Sequence, residues 1–172
     1  MGGDVFGVLL TAVLLALNAF FVGSEFALIS ARRDRLEALA EQGKKSAVTV
    51  IKAGERLSLM LAGAQLGITV TGLLVGYVAE PLIGEGVGTL LGGVSVPTGV
   101  GVAIGATAAI VFSTFVQMLF GELFPKNLAI ARPEPVARRL ARSTTWYLRL
   151  FGWLSAFSMV AALVADLFIL RP

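Results

Sequence analysis

The sequence contains neither cysteine nor histidine. That removes thiolate nucleophiles, disulfides, haem ligation, imidazole bases and the usual zinc and copper ligands together. Any metal site in this chain must be built from oxygen. Charge is also scarce: Asp, Glu, Lys and Arg make up 15% of the 172 residues, against 56% hydrophobic, and the mean hydropathy is +0.86. This balance is that of an integral membrane protein, all-α, since spans of roughly 20 apolar residues consume most of the length. No soluble catalytic domain fits beside such spans. No Ser–Lys arrangement at matching depth offers a nucleophile and a base, so the chain is not expected to be an enzyme. A pI near 9.7 raises nucleic acid as a partner, but the basic residues are segregated along the chain rather than interleaved with aromatics over one face. No nucleic acid is expected.

Every Lys and Arg lies between Arg32 and Arg56 or between Lys126 and Arg149, apart from Arg171. By the positive-inside tendency both blocks are cytoplasmic, which predicts three spans at roughly 5–30, 57–79 and 98–122, with the N-terminus outside and the C-terminus inside. A signal peptide is the competing reading of the first span. However, Asp4 is the only charge ahead of it, whereas a secretory signal opens with positive charge. "EPLIGEGVGTLLGGVSVP" (80–97), with two glutamates, many glycines and two prolines, reads as an external loop with at most a short helix, and Pro97 suits the start of the third span. "ARRDRLEALAEQGKKSAVTVIKAGER" (31–56) alternates charge with Leu and Ala at helical spacing around Gly43, giving two short surface helices or, more blandly, a solvated connector. Residues 143–170 are apolar enough for a fourth span. Yet Trp146, Tyr147, Trp153, Arg149, Asp166 and a stripe at Gly152, Ser155, Ser158 and Ala162 equally suit a helix along the membrane surface.

Several polar residues interrupt the spans. Asn18 and Glu25 lie seven apart in the first, on one face, with Ser24 behind. The second contributes Gln65, Thr69 and Thr71. Interhelical hydrogen bonding accounts equally well for Asn18 and Gln65, and bonding to the local backbone for the threonines. Pairing with Arg32 or Arg33 accounts for Glu25. Small residues at Gly63 and Gly67, Gly72 and Gly76, and Gly101 and Gly105 permit close helix approach, within one subunit or between two.

"GELFPK" (121–126) ends a charge-free run that begins at Gly86. Pro125 has no N–H, so the helical bond back to the Gly121 carbonyl cannot form. A freed carbonyl at membrane depth must face protein, water or an ion. Here it stands beside Glu122 at the negative end of a helix dipole, where a carboxylate needs a compensating cation. Lys126 is one candidate, and a bound hard ion such as Mg²⁺, Ca²⁺ or Na⁺ is the other.

Three separated stretches, "NAFFVGSEFALISARRDRLEALAEQGKKSA", "AQLGITVTGLLVGYVAEP" and "GELFPKNLAI", resemble in order and spacing the transmembrane domain of the CorC/CNNM family of magnesium transport proteins, over about residues 5–135. The resemblance implies three transmembrane helices followed by cytoplasmic-side juxtamembrane helices, a homodimer in the cytoplasmic (inner) membrane, and Mg²⁺ export exchanged for Na⁺. An alternative is a Mg²⁺-sensing scaffold that regulates another transporter. It places family site residues on Gly121 and Glu122, on Asn18, on Ser24 and Glu25, and on Gln65 and Thr69. The metal ligands expected are therefore Asn18, Ser24, Gln65, Thr69, Gly121 and Glu122. Some relatives carry Ser where this chain has Val22. The resemblance divides the chain into a transmembrane domain, 1–135, and a juxtamembrane belt, 136–172. The family's nucleotide-binding CBS pair is the expected cytoplasmic partner in a longer chain.

Overall fold

The computed structural model describes residues 2–92 and 98–169, with side chains described for 5–79, 81, 103–147, 149, 150, 152, 153 and 160. Among these residues every element is helical: α1 (Gly2–Ser30), α2 (Arg33–Glu41), α3 (Lys45–Gly54), α4 (Leu57–Gly92), α5 (Thr98–Val116), a π-helical segment (Gln117–Leu123), α6 (Phe124–Ala131) and α7 (Pro133–Ile169). Among the described residues three stretches are long and apolar enough to cross a membrane: Val5–Ser30, Leu57–Ala79 and Ala103–Ala131. The protein is thus an all-α, multi-pass membrane protein with juxtamembrane helices.

The first two spans fall where the charge pattern predicts them. The third does not stop at Glu122. It stays helical to Ala131, because the chain absorbs Pro125 by widening the turns ahead of it rather than by breaking. The expected loop at 80–97 is also largely helix, since α4 runs through Pro81 to Gly92. Pro81 forfeits the bond to the Tyr77 carbonyl, yet the helix continues past it. The side chains of Glu80 and Glu85, and Pro97 with its neighbours, lie outside the described residues. So do those of Ser155, Ser158, Ala162 and Asp166 on α7.

The chain divides into two compact units, Met1–Ala19 with Thr69–Phe124, and Phe20–Ile68 with Pro125–Pro172. In the first, Leu14, Val75, Ala79 and Ala109 are buried, while Phe6, Leu73, Tyr77, Val111 and Phe112 are each more than half exposed. So broad an apolar exterior matches hydrocarbon rather than water. Hydroxyls there bond their own helices, Thr11 to the Gly7 carbonyl and Thr107 to that of Ala103.

The second unit is built on small residues. Ala27, Ala47, Ala129, Ala137 and Ala141 form its core with Leu36 and Val50, which lets helices approach closely without large side chains between them. Gly67 lies under the Phe21 ring, and a Cβ there would meet ring carbons at 2.6 Å. That glycine therefore serves packing within the chain. α2 and α3 are the two surface helices expected around Gly43, whose φ of 81° lies in the left-handed region that glycine tolerates. Arg32 pairs with Asp34 at 2.7 Å and Arg33 with Glu37 at 2.8 Å. The Arg32 hydrogen bond holds the Asp34 carboxyl below its ordinary pKa. Both arginines thus take acids of α2, not the Glu25 suggested by sequence.

Candidate functional site

Asn18 is fully buried, an environment in which an amide must find partners for both of its ends. It finds them in the first unit, on two other elements. Its Nδ2 donates to the Gly121 carbonyl at 3.1 Å, and its Oδ1 accepts from the Thr71 hydroxyl at 2.8 Å. One side chain on α1 therefore ties α4 to the π-helical segment.

The local sequence explains why the segment takes this form. Pro125 cannot donate to Gly121, so the α-helical ladder has a gap at that carbonyl. A wider turn shifts the register: the Phe124 N–H donates to the Leu119 carbonyl, five residues back, and α-helix resumes at Phe124. Single π turns of this kind are uncommon and concentrate where a backbone group is used for something other than the ladder. Here the Gly121 carbonyl is received by the Asn18 amide. The sequence identifies the freed carbonyl but not the π geometry, nor that the helix survives it.

Two glycines make the close approach possible. A Cβ on Gly121 would stand 2.8 Å from Asn18 Nδ2, and one on Gly72 would stand 2.9 Å from Gln117 Nε2. Gly72 is thus engaged inside the chain, whereas a Cβ on Gly76 would meet nothing within 4 Å. Of the two, only Gly76 faces open space.

The six residues expected as ligands are distributed as follows. Asn18 and Gly121 are in direct contact. Glu122 follows Gly121 on the π-helical segment and is exposed, as is Thr69 on α4. Ser24 and Gln65 belong to the second unit, where Ser24, 2% exposed, accepts from the Thr144 hydroxyl at 3.0 Å and Gln65 donates to Glu25 at 3.2 Å. Lys126, considered above as the partner of Glu122, places its ammonium 4.7 Å from the centroid of the Phe26 ring, a cation–π contact.

Three participants were not among the expected ligands. Thr71 is two residues from Thr69, so the two point about 200° apart around α4 and only one can face Asn18. The family motif placed the expected ligand on Thr69, whereas the partner of Asn18 is Thr71. Gln117 was readable in principle, since it lies one helical turn before Gly121 in a stretch with few other polar residues. Thr144 had no such signal, being 120 residues from Ser24.

The amide, hydroxyl, carbonyl and neighbouring carboxylate are all oxygen-bearing groups, the ligand type of hard cations. Among the described residues no three carboxylates converge, so strong multi-carboxylate chelation is not what this arrangement offers.

The profile of the cyclin M (CNNM) transmembrane N-terminal domain matches residues 9–170. Protein Rv1841c of Mycobacterium tuberculosis is 51% identical over 143 residues, covering 83% of this chain and 40% of the relative. In Bacillus subtilis, the UPF0053 protein YhdP is 37% identical over 154 residues, with 88% and 35% covered, and YhdT is 34% identical over 170 residues, with 98% and 37% covered. The chain therefore spans roughly two fifths of the length of the curated relatives it matches. With nearly its whole length accounted for by one domain profile, the chain belongs to the CNNM family as a transmembrane N-terminal domain.

Proposed function

We propose that this domain carries Mg²⁺ out of the cell across the cytoplasmic membrane, in exchange for Na⁺, through an oxygen site centred on Asn18, the Gly121 carbonyl and Glu122, with Thr71 as a fourth oxygen. The observation that carries the reading is the buried Asn18 amide held against a backbone carbonyl that proline has released from its helix.

The spacings suit a small ion. Oxygens bound to Mg²⁺ at 2.0–2.1 Å in an octahedron stand about 2.9 Å apart along each edge. Asn18 Oδ1 and Thr71 Oγ1 are 2.8 Å apart, and the other end of the amide is 3.1 Å from the Gly121 oxygen. Either orientation of the amide therefore sets one oxygen pair at nearly an octahedral edge. Glu122, adjacent to Gly121, supplies the only formal negative charge among these four groups. The remaining positions are left to water, which Mg²⁺ gives up reluctantly. On this reading Thr69, Ser24 and Gln65 are not ligands of this cluster; Ser24 pairs with Thr144 and Gln65 with Glu25.

The same reading places the N-terminus outside and both basic blocks in the cytoplasm. It pairs two copies of the chain through the exposed apolar faces of the spans, and attaches CBS domains on the cytoplasmic side of the full-length protein. A domain of this kind moves an ion and catalyses no covalent step. Calorimetric titration of the detergent-purified domain with Mg²⁺ tests the site. Glu122→Gln keeps the shape, removes the charge and should weaken binding by more than about tenfold; Asn18→Ala should weaken it less, because water replaces a neutral ligand more easily than an anion. Unchanged affinity in both variants would remove the site from this position.

A further inference from the structure

The second unit contains a cavity of about 600 Å³ at the basic end of α4, lined by Thr49, Lys52, Ala53, Glu55, Arg56, Leu59, Met60, Thr145 and Arg149. None of these residues takes part in the Asn18 site. Its charge is unbalanced, with three cations, Lys52, Arg56 and Arg149, against Glu55 alone. Other basic residues nearby do have acid partners, Arg32 with Asp34 and Arg33 with Glu37. Among the described residues Lys52, Arg56 and Arg149 have none. Like charges gathered around one cavity repel one another, and that cost falls when an anion enters.

The location narrows the class of anion. Arg56 immediately precedes Leu57, the first residue of the second span, so the cavity opens at the level where that span leaves the apolar region. Leu59, Met60 and Ala53 give it an apolar wall beneath the charges. On α7, Trp146 and Trp153 flank Arg149 at helical spacing and are 68% and 72% exposed, the placement of aromatic side chains at a membrane interface. A soluble phosphate would use the cations and leave the apolar wall and the indoles without a role. A lipid uses all of them.

We propose that this cavity is a binding site for the phosphate headgroup of an anionic phospholipid, with Arg56 and Arg149 on the phosphate oxygens, Lys52 as a further point charge, and the acyl chains running along Leu57, Leu59 and Met60. The guanidinium forks match phosphate oxygens in pairs, which an ammonium does not. Because α3 packs against α7 at this place, a lipid seated there bridges the two and stiffens the juxtamembrane helices.

Native mass spectrometry of the detergent-purified 172-residue chain tests the site, with dioleoyl phosphatidate and cardiolipin compared with phosphatidylcholine as probes. The chain should retain the anionic lipids at least about tenfold more than the zwitterionic one, given the contribution of each Lys or Arg near a lipid phosphate. Lys52→Gln with Arg56→Gln and Arg149→Gln should abolish the preference. Lys44→Gln with Lys45→Gln and Arg139→Gln, which removes the same charge from exposed positions outside the cavity, should keep it. The single Arg149→Gln, at an exposed position, should reduce it without disturbing the circular dichroism spectrum. Equal loss in the two triple variants would overturn the proposal in favour of a diffuse basic surface. Displacement of the lipid by inorganic phosphate or glycerol 3-phosphate at concentrations comparable to the lipid would overturn it in favour of a soluble ligand.

Discussion

Replacing Gly121 by alanine adds one methyl group at the point where the released carbonyl meets Asn18. The new Cβ would lie 2.8 Å from Asn18 Nδ2, and ordinary contact begins at 3.4 Å. The amide must retreat by the difference, which stretches the 3.1 Å bond to the Gly121 carbonyl beyond good hydrogen-bonding range. Overpacking of this kind costs about 1–3 kcal/mol. Alanine also favours helix over glycine by about 1 kcal/mol, so unfolding stability mixes two opposed effects and is the wrong readout. Mg²⁺ affinity separates them, because only the displaced amide acts on the site. A loss of 1–3 kcal/mol there is about 5- to 150-fold in Kd. Gly72→Ala is the control. Its Cβ meets Gln117 Nε2 at 2.9 Å, the mobile end of a long side chain that can swing aside, and its effect should stay below about threefold. Calorimetry on the two purified variants provides the comparison. Wild-type affinity in Gly121→Ala, or equal losses in both, would refute the reasoning.

Pro125→Ala restores an N–H that can bond the Gly121 carbonyl, returning the π segment toward α-helix, and should lower Mg²⁺ affinity while leaving helicity intact, measured by calorimetry and circular dichroism. Gly67→Ala drives a methyl into the Phe21 ring at 2.6 Å and should lower thermal stability by about 1–3 kcal/mol without changing Mg²⁺ affinity, since the ring belongs to the second unit. Cysteines introduced into this cysteine-free chain at Gly3 and Gly86 should react with an impermeant maleimide from outside, and one at Gly43 only from inside. External labelling at position 172 would instead indicate a fourth crossing.

Much of this architecture is legible in the sequence because two strong physical rules govern it. Lysine and arginine are excluded from the apolar layer, so the first of their two blocks marks the end of α1 and the start of α4 to within a few residues. The glycine at position 43 marks the α2–α3 turn, because a left-handed residue is needed there. The rules fail at proline. Pro81 and Pro125 read as stops, yet α4 continues through one, and at the other a π turn widens the helix while Asn18 receives the released Gly121 carbonyl. The site was legible in the same partial way. Asn18 and Gly121 stand out, one as a buried amide and the other as a carbonyl without a helical donor. The choice of Thr71 over Thr69, the placement of Gln117, and the pairing of Ser24 with Thr144 depend on the rotation of each helix about its axis. Spans that are apolar nearly all round carry almost no periodic signal for that rotation.

Mg²⁺ flux through the purified domain in sealed liposomes is the most direct measurement. With Mg²⁺ trapped on one side and a Na⁺ gradient opposing it, the wild-type chain should move Mg²⁺ at a rate that rises with the gradient. Glu122→Gln, reconstituted to the same density, should reduce the rate to near that of empty liposomes. Flux absent from the wild type, with Mg²⁺ binding intact, would contradict transport and leave a sensing scaffold. Undiminished flux in Glu122→Gln would contradict the site.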